Sequence, residues 1–169
     1  MTEEEQKHTF ETWLGQHKAL IFKIVRAYAF TAMDRDDLFQ EVSIQVWRSI
    51  PTFRRESAIT TWIYRIALNT SITWIRKARK HPQADSLDHA EQLLQENTVP
   101  FDERLAWLYD EIHKLDEIDR SLTLLLLDGF SYREMASILG ITESNVGVKI
   151  NRIKKQLIVR SKKYDYHGI

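Results

Sequence analysis

Three groups of residues carry side chains from which chemistry or recognition could be built. The first is the acidic run Asp36, Asp37 and Glu41, with Gln40 among them. Asp37 and Glu41 stand four apart and so share one face of a helix. Paired carboxylates can bind a cation or do acid–base work. Yet no matching His or carboxylate cluster accompanies them, and His8, His17, His81, His89, His113 and His167 show no ligand spacing. The alternatives are an acidic helix start favoured by the helix dipole and a docking face for a basic partner.

The second group runs from Arg54 to Lys80. Arg54, Arg55, Arg65, Arg76, Lys77, Arg79 and Lys80 are interleaved with Trp62, Tyr64 and Trp74, and Phe53 precedes them. Positive charge beside aromatic faces is how proteins hold single-stranded bases. Aromatics at helical spacing also fit a core, and Trp62 and Trp74 are assigned there. Phe53 falls in a polar connector with no evident helical core slot.

The third group spans Ser131 to Leu157. Ser131 and Glu134 form a Ser-x-x-Glu capping box, Gly140-Ile141-Thr142 makes a turn, and a longer basic helix follows, the pattern of a helix-turn-helix. Val146, Ile150, Ile153 and Leu157 supply that helix's buried face. The opposite face offers Ser144, Asn145, Val148, Lys149, Asn151, Arg152 and Lys155. Asn and Arg can read base edges, and Lys and Ser can hold phosphates. An ordinary helical hairpin with a solvated basic face has the same pattern.

The elements that must position these groups are helices. A first helix spans roughly Phe10 to Phe30, with Trp13, Leu14, Leu20, Ile21, Ile24 and Val25 apolar. A second runs from Asp34 to Ile50 with Leu38, Val42, Val46 and Ile50 at a period near 3.6, and Pro51 ends it. After the connector 51–60, a third runs from Thr61 to Arg79 with Trp62, Ile63, Ile66, Ala67 and Trp74 inward. Residues 81–102 contain no Lys or Arg and two of the three prolines, and read as a flexible acidic linker with a helical turn near 90–95. Beyond it, Leu105, Leu108, Ile112 and Leu115 mark one helix. Asp119 caps the next, which carries Leu122, Leu125 and Leu126 and ends at Gly129.

The expected architecture is therefore all-α: two small helical domains, 1–80 and 103–169, joined by the linker 81–102. The chain of 169 residues suits that division. It has no Cys, which excludes disulfides and thiolate chemistry. It has no apolar run of membrane-spanning length, and its polar start, MTEEEQKH, is no secretory signal. A cytoplasmic protein without membrane insertion is expected. Net charge is zero, which by itself speaks against nucleic-acid binding, but charge is segregated. Arg54–Lys80 holds seven basic residues and one acidic; Thr142–Ile169 holds seven and two; Asp85–Asp119 holds eleven acidic and two basic. Two basic modules flank an acidic middle, and local charge sets the local field.

In this order these segments resemble a bacterial sigma factor of the extracytoplasmic-function group (group IV) over nearly the whole chain. DRDDLFQEVSIQVWRSIPTF is similar to the segment that grips the polymerase clamp. FRRESAITTWIYRIALN with TSITWIRKARK is similar to the segment that melts and reads the −10 element. LDEIDRSLTLLLLDGFSYREMASILGITESNVGVKINRIKKQL is similar to the −35-reading domain. The resemblance implies that Asp37, Gln40 and Glu41 contact core RNA polymerase, and that Phe53 and Asn69 cradle a flipped −10 base, with Arg54, Arg55, Arg76 and Lys77 around them. It implies that Val148, Asn151 and Arg152 read the −35 duplex, flanked by Ser144, Asn145, Lys149 and Lys155. It further implies promoter DNA and an anti-sigma factor as partners, and no cofactor, metal or catalytic residue. Gly147 departs from the pattern, since many relatives carry a basic residue there. Glycine inside a helix costs about 1 kcal/mol.

Two other readings compete. A one-component regulator using the same helix-turn-helix leaves Asp37–Glu41 and the basic-aromatic segment without a role. A helical enzyme using the acidic pairs lacks Cys and any His ligand spacing. The sigma-type reading makes a prediction from charge alone. With no net charge and two small basic modules, the free chain should bind promoter duplex only weakly and with strong salt dependence. Fluorescence anisotropy across a salt series checks this, and nanomolar specific binding at physiological salt would favour the one-component regulator.

Overall fold

The computed structural model describes residues 1–80 and 102–167, and among these there are α-helices and connecting turns but no strand. The chain divides into two compact units, Met1–Asp102 and Glu103–Ile169. Apart from Asp102, the expected linker 81–102, with its turn near 90–95, lies outside the described residues.

Unit 1 is built from α1 (Glu3–Tyr28), α2 (Ala32–Ser49), a 3₁₀ turn (Ile50–Thr52) and α3 (Ile59–Lys80). Helix α1 begins at Glu3, ahead of the expected Phe10, because Thr2 and Glu5 form a capping box. The Glu5 N–H donates to Thr2 Oγ1 at 3.2 Å and the Thr2 N–H donates to the Glu5 carboxylate at 2.7 Å. Gln6 then donates from its side-chain amide to the Trp47 carbonyl at 2.8 Å, and Phe10 packs edge-on against Trp47 at 5.4 Å. These contacts secure an acidic first turn that has no apolar stripe of its own.

Helix α2 is capped by Thr31, whose hydroxyl accepts from the Asp34 N–H, and buries Leu38, Val42 and Val46. Against them pack Ile21, Ile24, Val25 and Tyr28 of α1, Ile50 of the turn, and Ile63, Tyr64, Ala67 and Leu68 of α3. Each fully buried aliphatic side chain contributes roughly 1.5–3 kcal/mol. The inner face of α3 differs from the expected one. Tyr64 and Leu68 are buried, whereas Trp62, Ile66 and Trp74 are only half-buried. Two aromatic side chains assigned to the core therefore reach the surface.

Unit 2 contains α4 (Glu103–His113), α5 (Glu117–Leu127), α6 (Tyr132–Leu139) and α7 (Glu143–His167). Helix α5 is central: every residue from Asp119 to Leu125 is buried. Its cap is Asp116 rather than Asp119, because the Asp119 N–H donates to Asp116 Oδ1 at 2.8 Å. Arg120, 3% exposed, donates to the carbonyls of His113 and Leu115 at 2.9 and 3.0 Å and so closes the α4–α5 turn. The Ser131–Glu134 capping box is present. Gly140, at φ +68°, ends α6 in the left-handed conformation. Thr142 accepts from the Asn145 N–H at the start of α7. Val146, Ile150 and Ile153 are buried, and Leu157 half so.

The far part of α7 is tied to α4 by Glu111. Its buried carboxylate accepts from Lys114 at 2.7 Å and from Arg160 at 2.9 Å. Burial pushes the Glu111 carboxyl up, but the hydrogen bonds from Lys114 and Arg160 outweigh it and hold the group below the ordinary glutamate value. A carboxyl depressed in the folded state stabilises above its unfolded pKa, and that stability is lost as pH falls through the folded value. Glu111→Gln should therefore flatten the loss of thermal stability between neutral pH and about pH 3. Melting curves across that range check the outcome against wild type.

Candidate nucleic-acid interface

In unit 1 the expected site residues fall on two clefts and one helix face. The outer side of α3 and the adjoining edge of α2 enclose a groove of about 360 Å³, lined by Glu41, Gln45, Asn69, Thr70, Thr73, Trp74 and Lys77. Asn69 and Lys77 are exposed, and Trp74 supplies an aromatic wall. Glu41 accepts from the Gln45 amide at 3.0 Å. The groove thus combines an amide with both donors and acceptors, a ring face and a cation, a set suited to one unstacked base and its phosphate. Glu41 belongs to this groove, while Asp37 and Gln40 lie fully exposed on α2. Arg76 is also exposed on α3.

Phe53 takes a different place from Asn69. The 3₁₀ turn carries it into a cluster with Trp13 (5.3 Å, edge-on) and Trp62 (4.9 Å), and Trp13 and Trp62 meet at 5.5 Å. It has packing partners after all, from α1 and α3, and is half-buried. The cluster borders a larger cleft of about 700 Å³, whose lining includes Arg55, Ser57, Ala58 and Thr12. Arg55 has φ +57°, the one non-glycine residue with positive φ among those described. A side chain in this conformation costs roughly 1–2 kcal/mol. The reversal it makes leaves both Arg54 and Arg55 exposed beside the cleft. Trp62 and Asn69 are seven residues apart in sequence, two turns of α3 or about 10 Å. The larger cleft lies between α1 and the connector and takes only Ile59 from α3, whereas the smaller groove lies between α2 and α3.

In unit 2 the face of α7 opposite its core is open. Ser144, Asn145, Asn151, Arg152 and Lys155 are exposed, as is Val148 at 67%. Lys149 is half-buried. Asp119 of α5, which periodicity marks only as a cap, accepts from Lys149 Nζ at 3.3 Å and from an Arg152 guanidinium nitrogen at 2.6 Å. Two of the expected DNA-facing cations are therefore already paired within the chain. Trp13, Gln45 and Thr73 are also lining residues that the sequence did not single out. Gln45 and Thr73 stand four residues after Glu41 and Asn69, a same-face spacing that points to them. Among the described residues no three carboxylate or imidazole groups converge to hold a metal ion.

Residues 13–81 match the family described as Sigma-70 region 2, and residues 105–157 match Sigma-70, region 4. The ECF RNA polymerase sigma-E factor of Haemophilus influenzae is 30% identical over 164 residues, covering 89% of this chain and 86% of that protein. The ECF RNA polymerase sigma-E factor of Escherichia coli K12 is 30% identical, with 84% and 80% covered. The RNA polymerase sigma-H factor of Pseudomonas aeruginosa is 27% identical, with 89% and 85% covered. Two solved structures share the fold. CnrH in complex with the cytosolic domain of CnrY has a TM-score of 0.67 at 21% identity, with 93% and 90% covered. The sigma factor RpoE in complex with the anti-sigma factor NepR from Bartonella quintana has a TM-score of 0.65 at 18% identity, with 88% and 94% covered.

Gly147 lies on α7 beside Tyr132 of α6. A Cβ there would sit 3.7 Å from Tyr132 Cε2, ordinary van der Waals contact. Among the described residues nothing demands glycine here, so Gly147→Ala should stabilise unit 2 by about 1 kcal/mol through helix propensity. A higher melting temperature checks this, and a fall would mean that Tyr132 cannot accommodate the methyl group.

Proposed function

The chain belongs to the extracytoplasmic-function sigma factors, and from that premise we propose how its surfaces divide the work of starting transcription. It is a promoter-recognising sigma factor that works with RNA polymerase. In our reading the 1–80 domain docks on core polymerase and handles the −10 element, and the 103–169 domain reads the −35 element, with 81–102 connecting them. The observation that carries this division is the arrangement of unit 1. Exposed Asp37 and Gln40 stand on α2 outside the lining of the groove formed by Asn69, Trp74 and Lys77 of α3, and Glu41 adjoins both.

Asp37 and Gln40, with Glu41 at their border, form the polymerase-docking face. A melted non-template strand running along α3 meets Phe53 with Arg54 and Arg55 first, then Asn69 with Arg76 and Lys77. A base must leave the stack before such clefts can take it, at a cost of a few kcal/mol, so they act on opened rather than duplex DNA. On α7, Val148, Asn151 and Arg152 face base edges while Ser144, Asn145 and Lys155 hold the backbone. Lys149 belongs to the same surface but shares its charge with Asp119. The chain itself makes and breaks no bond, and RNA synthesis remains the polymerase's chemistry. It acts where polymerase acts, in the cytoplasm, and no described helix is long and apolar enough to cross a membrane. One structural relative was captured with an anti-sigma factor, and an inhibitory partner of that class is proposed for this chain.

The test is run-off transcription and core binding with charge-reversed docking residues. Asp37→Lys with Glu41→Lys should lower affinity for core polymerase by about tenfold or more while the melting curve stays intact. Asp37→Lys alone, outside the α2–α3 groove, should show the same direction. Wild-type affinity in a folded double variant would remove α2 from the docking face.

A further inference from the structure

We propose that Asp119 is a positioning residue for −35 recognition, presenting Arg152 to the DNA and withdrawing Lys149 from it. This rests on the reading of Arg152 as a base-reading side chain. The Asp119 side chain is 8% exposed, and each of its oxygens takes one cation: Oδ1 accepts from Lys149, Oδ2 from Arg152. The carboxylate has little freedom to move. Its backbone N–H is fixed by the Asp116 cap, and it opens the continuous buried run of α5. Lys149 and Arg152 are three residues apart on α7 and so reach the same anchor.

The two cations are left in different states. The Lys149 side chain is 22% exposed and that of Arg152 51% exposed. Arginine has five N–H donors in a rigid fork. With one nitrogen held at 2.6 Å by Asp119, the others remain directed by that bond and open to an acceptor pair such as a guanine edge. A long side chain otherwise gives up rotamer freedom on binding, and the tether removes that loss beforehand. The carboxylate also offsets positive charge on the DNA-facing helix. Sequence-independent attraction to phosphate falls, and selectivity gains relative to affinity.

The experiment uses the complete chain assembled with core polymerase. Wild type, Asp119→Ala, Asp119→Asn, Arg152→Ala and the Asp119→Ala/Arg152→Ala double variant are compared by transcription from a promoter library randomised at −35. Melting curves and the salt dependence of promoter binding are measured beside it. Asp119→Ala should relax preference at the base position that Arg152→Ala also relaxes, by roughly 5- to 10-fold. It should also steepen the salt dependence, because two cations are released towards phosphate. The double variant should match Arg152→Ala in preference. Asp119→Asn keeps the size and one acceptor oxygen, so it should fall between wild type and Asp119→Ala, and it answers the question should the alanine variant not fold. Wild-type preference in a folded Asp119 variant overturns the proposal. So does an equal loss on every −35 sequence with a lower melting temperature, the signature of a purely structural residue. If Arg152→Ala itself keeps the wild-type preference, base reading by Arg152 fails and the positioning role with it. If Arg152→Ala shifts the preference and the Asp119 variants do not, only the positioning role is lost.

Discussion

Burial of α5 on every side is the constraint from which unit 2 follows. A helix enclosed from Asp119 to Leu125 includes Asp119, Arg120, Ser121 and Thr123 in that run, and an unpaired buried polar group costs several kcal/mol. Two of the four bond back within α5, and two tie neighbouring elements to it. Ser121 and Thr123 turn their hydroxyls back to the carbonyls of Glu117 and Asp119. Arg120 reaches the two carbonyls at the end of α4. Asp119 binds two cations of α7. Leu122, Leu124 and Leu125 supply apolar packing, while the polar members set the register of α4 and α7 around the same helix. Satisfying the core and orienting α7 are one requirement.

Unit 1 resolves its packing differently. Its three helices bury an aliphatic centre together with Tyr28 and Tyr64, and the tryptophan and phenylalanine rings collect at the margin. Trp13, Phe53 and Trp62 cover one another, and Phe22 and Phe39 stack at 4.4 Å on another side. A half-covered ring still holds enough apolar contact to be stable in place, yet keeps part of its face for another ring. The strained Arg55 follows directly. Backbone strain of this kind persists where the surrounding structure over-determines it and tends to gather at sites that bind. An aromatic cluster beside two exposed arginines is thus built into the fold itself.

Much of this was legible in the sequence, and the failures have physical causes. The all-helical character, the α2 stripe, the Ser131 box, the Gly140 stop and the Thr142 cap rest on local chemistry, which a sequence records directly. The cap of α5 was misplaced because Asp116 and Asp119 are both suitable residues three apart. Only the fold decides which carboxylate caps and which pairs with α7. The inner face of α3 was misjudged because Trp62, Ile63, Tyr64, Ile66, Ala67 and Leu68 are apolar almost all round the helix, so period cannot choose a side. The early start of α1 depends on Trp47, distant in sequence. Phe53 seemed to lack a packing site because its partners come from two other helices. In the candidate site, residue types were readable, but their grouping was not. Glu41 joins Asn69 and Lys77 in one groove, a relation between helices that no spacing along the chain expresses.

The internal pairs also change what the charge pattern means. Thr142–Ile169 carries seven basic residues, which suggests a strongly attractive DNA-binding helix. Three of them, Lys149, Arg152 and Arg160, are committed to carboxylates of α4 and α5. Lys154, Lys155, Lys162 and Lys163 stand outside those pairs. A phosphate contact made by an already paired cation releases less counterion than a bare one, so the helix attracts DNA less than its composition implies. The proposed function takes the missing affinity from tethering to polymerase. In the proposed division, docking on polymerase brings each unit to its promoter element at a raised effective concentration, and two weak contacts combine without either having to be strong. A helix with three of its seven cations already paired inside its own unit is consistent with the proposed division. On the proposed reading, α7 discriminates among promoters once polymerase presents it, and its internal pairs leave the free chain a weak duplex binder.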